Sequence, residues 1–458
     1  MNQPIALPHD VPQAPVASFE LALYRKLARR IMPFLFVCFV LNWLDRVNIG
    51  FAHLRFKADL NISDATFGII VGVFSIGYLL FEIPSNLLLE KIGAKKTMTR
   101  IMVLWGLVTV ATAFAQTPAQ FYGLRMLLGA AEAGFFPGVI LYLTYWFPAH
   151  YRARITSRFI MAIAVCGIVG GPLSTWIMGR FDTLAGFHGW QWLFVLTGLP
   201  PIVAGVFAWY WLDNRPADAR WLSPAEKHSI EQALRAERSQ RGHGGHGGHG
   251  GHAHFGAALK DPKVWFIVLA YCLTIMTAGN VTNIWAPSII RDSGVHDLGR
   301  LGLLSALPYL VAVVVMLVVC RRSDRLQERR WHFTVPGLLA ALAMLILPQV
   351  LTSPWSTVAV MTLMTTGYLS ATAIFWTIPT YYLSDRAKAA GLAMVNCCGQ
   401  LSSLLTPIMI GHLKTATGDI RLALYIVAAL VASGALILFF GVPRQALRAP
   451  STPETSHD

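Results

Sequence analysis

The sequence predicts an all-α membrane protein of twelve transmembrane helices arranged as two six-helix halves. Three observations predict it. Apolar runs recur along the whole chain, each near the roughly 20 residues that cross a hydrocarbon core. Of 458 residues, 55% are hydrophobic and only 13% are charged, about half the charged share of a soluble domain. Stretches of the first half also return in the second at a fixed offset.

The apolar segments begin near Ile31, Thr66, Thr97, Gln120, Ile155 and Trp190, and then near Pro262, Leu298, His332, Trp355, Ala387 and Arg421. Residues 1–30 read as a tail without the apolar centre of a cleaved signal, so the run from Ile31 is expected to be a retained first helix. The first six segments occupy 31–212 and the second six 262–442, with a polar loop over 213–261 and a tail over 443–458. LEKIGAKK, Leu89 to Lys96, matches SDRLQERR, Ser323 to Arg330, at an offset of 323 − 89 = 234. The same offset lays Arg152–Ala153–Arg154 on Arg386–Ala387–Lys388. Two separated matches at one offset indicate duplication of a six-helix unit in one orientation, and parallel repeats place a substrate site between the halves near the midplane.

The net charge of +14 could suggest a nucleic-acid partner, but its distribution points to topology. Basic residues fall in alternate loops, as with Lys91, Lys95, Lys96 and Arg100, then Arg152, Arg154 and Arg158, then Arg321, Arg322, Arg325, Arg329 and Arg330. The intervening turns Gln116–Gln120 and Thr352–Thr357 carry no charge. This positive-inside pattern puts both termini in the cytoplasm. The six cysteines, all in or beside apolar runs, show no disulfide or zinc spacing. No nucleotide-binding or Ser-His-Asp pattern stands out, so an enzyme is not expected, and no cofactor is implied.

Ionisable residues inside spans are costly and mark function. Asp45 and Arg46 interrupt the first span, Glu82 the second, and Arg125 and Glu132 the fourth. Arg125 and Glu132 are seven residues apart and share a helix face, which predicts that they pair. Without Glu82 the set sums to zero charge, and a guanidinium fork fits a carboxylate with two hydrogen bonds. Glu82 is expected to be structural, capping or pairing near the loop end of its helix. Asn280 and Asn283, Trp285, Trp376, Asn396 and Gln400 add polar and aromatic groups to the second half, suited to a small-ligand site. In the repeated loops, Glu90, Lys91 and Lys95, and Asp324, Arg325 and Arg329, are placed as a gate, an acid at a helix end holding basic groups.

The loops LEKIGAKK and SDRLQERR, with the six-plus-six organisation, resemble the major facilitator superfamily. NWLDRVNIGFA, GYLLFEIPSN, RMLLGAAEAGFFPGVILYLTYWFPAHYRAR and GWQWLFVLTGLP are similar to its anion:cation symporter branch, which includes bacterial tartrate transporters and 4-hydroxyphenylacetate permeases. The resemblance implies a proton-coupled importer of a small organic carboxylate, either an aromatic acid or a tartrate-like hydroxy acid. It implies proton coupling at Asp45 and Glu132, anion binding and the acid–base network at Arg46 and Arg125, and substrate contacts at Tyr78, Trp376 and Asn396; Asn283 is expected to line the cavity. It also implies a functional monomer in a bacterial inner membrane, with an organic anion, a proton and the lipid bilayer as partners.

Two other classes stay open. A transport-inactive sensor on the same fold would not need the four charges. A metal exporter is suggested only by His243, His246, His249, His252 and His254 in the glycine-rich loop, because imidazoles at such density can bind zinc, nickel or copper. That segment reads as a flexible linker. Before it, Ser223 to Gln240 reads as a polar helix with Ser223 as N-cap.

Overall fold

The computed structural model describes residues 13–242, 260–379 and 385–442, without the side chains of 13–18, 149, 150, 153–160, 238, 240–242, 385–390 and 393. The described residues are helical almost throughout, with no strand among them. The five histidines from His243 to His254 lie outside the described residues, as do the side chains of Arg386 and Lys388.

The first half contains α1 (Gln13–Asp59), α2 (Asp64–Ile92), α3 (Ala94–Thr112), α4 (Pro118–Glu132), α5 (Phe135–Thr144), α6 (Ala149–Arg180) and α7 (Gly189–Trp211). Helix α8 (Pro224–Gly242) follows. The second half contains α9 (Pro262–Asp292), α10 (Leu298–Leu326), α11 (Arg330–Val350), α12 (Pro354–Phe375), α13 (Asp385–Thr417) and α14 (Arg421–Gly441). Taking α4 and α5 as one span, eleven are long and apolar enough to cross a membrane. The twelfth, α3, opens with Lys95, Lys96 and Arg100 and is less apolar for that reason.

The helix ends have local causes. Ser63 accepts from the Thr66 amide to start α2, and Thr117 with Gln120 forms a capping box on α4. Gly134 ends α4 and admits α5 by adopting a left-handed φ of 84°, which suits a residue without Cβ. Helix α1 starts at Gln13, well before the expected first apolar residue Ile31. Its leading turns bury Leu23, Tyr24 and Leu27, and Tyr24 packs on Phe147 and Tyr151. The polar helix expected after Ser223 is present as α8, and its cap is reciprocal: Ser223 N–H donates to Glu226 and Glu226 N–H donates to Ser223. Lys26 on α1 donates to Glu226 at 2.8 Å, so α8 is tied to the start of the chain.

Packing follows the duplication. In the first half α3 packs on α7 and α2 on α4; in the second, α11 packs on α14 and α10 on α12. The halves meet through α2 against α13, α6 against α10, and α1 against α9. They lie close at the face opposite the two repeated loops. There Arg291 on α9 donates to the Leu54 carbonyl on α1, and the Ala65 amide on α2 donates to Thr415 on α13 at 2.9 Å. Helix α9 contains two π-helical turns, Tyr271–Met276 and Val281–Trp285. Such turns often mark functional positions, and irregular backbone at membrane depth is tolerated where protein or a cavity surrounds it.

Candidate functional site

Between the halves lies a cavity of about 130 Å³. The first half contributes Trp43 and Arg46 from α1, Phe74 and Ser75 from α2, and Arg125 from α4. The second contributes Asn280 and Asn283 from α9, Tyr368 from α12 and Gln400 from α13. Both arginines predicted from sequence therefore reach one space.

Close helix packing builds the charged wall. Gly77 on α2 and Gly129 on α4 face each other's helices, and a Cβ at either would collide with the Met126 or Phe74 carbonyl. With α2 and α4 at backbone contact, Arg125 and Glu132 are held against the α1 residues. Glu132 is wholly buried and accepts from Asn42 Nδ2 at 2.7 Å and from Arg46 Nε at 3.0 Å. Arg46 lies over the rings of Phe74 and Tyr78, each 5.1 Å from its guanidinium carbon. Asp45, also buried, accepts from Thr109 at 3.1 Å and Asn48 at 3.3 Å.

The pairing differs from the sequence expectation. Glu132 bonds Arg46, not Arg125. Seven residues put Arg125 and Glu132 on one face but separate them by about 10 Å along the axis, too far for a direct pair, whereas Arg46 approaches from the neighbouring helix. Arg125 is close enough to feel the charge of both Asp45 and Glu132. Its Nε and Nη2 atoms are buried without a hydrogen-bond partner among the described residues, and so is Glu132 Oε1. Buried polar groups are normally paired, so the site holds donors and an acceptor with unused capacity.

The opposite wall is neutral. Asn283, in the second π-helical turn, accepts from the Tyr309 hydroxyl at 2.7 Å and donates to the Gly279 carbonyl at 2.8 Å. Asn280 donates to the Met276 carbonyl at 2.8 Å. Three expected contacts lie off this cavity lining. Tyr78 sits beneath Arg46, Trp376 packs on Tyr271 at 5.4 Å, and Asn396 donates to Glu82. Glu82, expected to cap or pair near the loop end of its helix, takes a hydrogen bond from the other half. Trp285 is fully buried against Phe67, 5.3 Å away, in the core.

Asn42, Asn48, Thr109, Tyr309 and Tyr368 were not singled out from sequence. Asn42 and Asn48 stand three residues either side of Asp45, a spacing that shares its helix face and could have flagged them. The two tyrosines carry no such local signal.

The repeated loops are unequal. Arg329 donates to Asp324 at 2.6 Å and to Ser323 at 2.7 Å, closing the second loop. In the first, Glu90 and Lys91 are exposed and form no ion pair among the described residues, while the Lys95 amide donates to Asn214 at 3.0 Å and its ammonium lies over Trp209. Described Arg152 pairs with Glu237 of α8 at 2.6 Å. No group of three or more potential metal ligands occurs among the described residues.

Two packed helical repeats around a central cavity, with eleven apolar spans among the described helices, define a multi-pass membrane transporter. The chain belongs to the Major Facilitator Superfamily, whose family model matches residues 35–407. It is 38% identical over 417 residues to NicT of Pseudomonas putida, a candidate metabolite transport protein, covering 91% of this chain and 92% of that one. It is 39% identical over 422 residues to a candidate tartrate transporter of Agrobacterium vitis, covering 92% and 95%. The fold matches the inward open conformation of the xylose transporter XylE from E. coli with TM-score 0.73 at 15% identity, covering 92% and 97%.

Proposed function

We propose that this transporter is a proton-coupled importer of a small organic carboxylate, working by alternating access in a bacterial inner membrane. The observation that carries the reading is the cavity between the halves, where Arg46 and Arg125 face the space with Glu132 and Asp45 behind them. The relatives' names as tartrate and metabolite transporters support it.

The residues suggest a sequence of events. In the state described, Arg46 is engaged by Glu132 at 3.0 Å. A proton on Glu132 removes that partner's charge and frees the Arg46 fork for a carboxylate. Arg125, with unpaired donors, offers a second anchor. Asp45 remains beside Arg125 as the second proton site. Two bases and two acids sum to zero; one carboxylate plus one proton keeps that sum, and binding of the two is thereby coupled. The neutral wall of Asn280, Asn283 and Tyr368 contacts the rest of the molecule.

With the basic loops in the cytoplasm, the tight face is external and the described state is closed to the outside. Rocking of the halves exchanges access. Asp324, Arg325 and Arg329, and Glu90, Lys91 and Lys95, act as the gate on the cytoplasmic face. A single chain contains both halves and is the functional unit.

The test is uptake of labelled 4-hydroxyphenylacetate and tartrate into proteoliposomes under an imposed inward proton gradient. Accumulation of either, abolished by a protonophore, is expected. Substrate equilibration that ignores the gradient would count against proton coupling.

A further inference from the structure

Glu82 lies on α2, four residues beyond Tyr78, and is 7% exposed. Its carboxylate accepts from Asn396 Nδ2 on α13, so the bond crosses from one half to the other. Arg46 lies over the Tyr78 ring at 5.1 Å, and its charge also acts on Glu82. Four residues of helix correspond to about 6 Å of rise. The acid therefore stands roughly one turn from the arginine that would hold a substrate's carboxylate, on the side of the repeated loops.

The chemistry of that position is restrictive. A carboxylate only accepts hydrogen bonds, at about four sites, and Asn396 occupies one of them. It repels a second carboxylate, so it cannot be part of the anion clamp. It attracts a donor. Asn396, half-buried and on the opposing helix, supplies the complementary amide.

We propose that Glu82, with Asn396, forms a specificity end just beyond the lining of the described cavity: it accepts a hydrogen bond from a hydroxyl group carried about one helical turn from the substrate's acid group. The transporter then selects hydroxylated carboxylates over their deoxy counterparts. This rests on the carboxylate reading above. A site built to bond a hydroxyl rejects the analogue lacking it, because its own polar groups are left unpaired. Binding of the hydroxylated substrate adds a second donor to Glu82 beside Asn396, which also links the two halves through the substrate.

The test is competitive binding to the purified full-length protein in lipid nanodiscs, using two matched pairs, 4-hydroxyphenylacetate with phenylacetate and tartrate with succinate. In the wild type, the hydroxylated member of the pair that binds is expected to be favoured by about 10- to 100-fold, the value of a hydrogen bond to a charged acceptor. Glu82→Ala should bring that ratio to within about threefold. Glu82→Gln keeps the shape and an acceptor but not the charge, and should leave a ratio between the wild-type and alanine values; it decides the matter if the alanine variant does not fold. An unchanged ratio in the variants, or no hydroxyl preference in the wild type, overturns the role of Glu82 and leaves the carboxylate reading standing. Binding of no member of either pair by well-folded wild type overturns the carboxylate reading, and this one with it.

Discussion

The two halves share one packing plan and differ where they face the cavity. The first half presents Arg46 and Arg125, with Glu132 and Asp45 behind them, acids held by Asn42, Asn48 and Thr109. The second presents Asn280, Asn283, Tyr368 and Gln400, all neutral; Asn280 and Asn283 donate to backbone carbonyls, and Asn283 also to Tyr368. Helix pairing is kept in both copies, α3 with α7 as α11 with α14, because apolar packing tolerates exchange of one aliphatic side chain for another of similar volume. The cavity face is not bound by that tolerance, since a buried charge without its partner is heavily penalised. Duplication can thus preserve a scaffold while its inner surfaces diverge, one charged and the other neutral.

The sharpest break of that comparison lies in the first half. Glu132→Gln should lower gradient-driven accumulation in proteoliposomes by about a hundredfold or more, a typical effect of removing a proton-transferring group, while exchange of labelled for unlabelled substrate persists. Equal loss of both would remove Glu132 from proton coupling. Next in size, Arg46→Lys should weaken substrate binding by about 10- to 100-fold, because an ammonium cannot reproduce the planar fork; titration calorimetry reads it.

The second half should respond more mildly. Tyr309→Phe removes the 2.7 Å bond that orients Asn283, and should raise the substrate Kd by about three- to tenfold, with the response to the proton gradient retained. A loss of gradient response there would dissolve the division between the halves.

How much of this was legible in the sequence depends on what each feature rests upon. The spans, the duplication and the four charges are local facts, visible as apolar runs, an offset of 234 and interruptions of those runs. The placing of Arg46 and Arg125 in one cavity follows them closely. The pairing of Glu132 was not legible, because it depends on which neighbouring helix approaches, and that is decided by glycine contacts such as Gly77 and Gly129. The Glu82–Asn396 bond joins residues 314 positions apart, on helices that no offset relates, so the sequence could only place each alone. Helix α1 extends ahead of the apolar run at Ile31 for a related reason: Leu23, Tyr24 and Leu27 are stabilised by burial against later segments, which apolar-run counting does not see.

Smaller effects test the loops. Asp324→Asn opens the bond to Arg329, and since Asp324 is two-thirds exposed, the exchange rate should change by only about two- to fivefold. The corresponding Glu90→Gln should do less, as no ion pair involving Glu90 is seen among the described residues. Equal effects on exchange would mean that the loops act alike despite their different geometry. Smallest is the docking of α8. Partial burial raises the Glu226 carboxyl while the Lys26 ammonium and the Ser223 cap lower it, leaving it below its ordinary range. A depressed carboxyl stabilises above its unfolded pKa, about 4.3, and that contribution is lost as pH falls through the lower folded value. Hydrogen exchange in α8 should therefore gain protection from acid to neutral pH, and Lys26→Gln should flatten the change.

Coupling of proton to carboxylate is the central claim, and proton uptake on binding tests it most directly. Substrate is titrated into weakly buffered, purified protein, and a pH indicator reads protons taken up per carboxylate bound. Uptake close to one proton per substrate in the wild type, lost in Glu132→Gln, is the predicted result. Saturable carboxylate binding with no proton uptake at any pH between about 5 and 8, the range in which folded proteins are usually most stable, would contradict it.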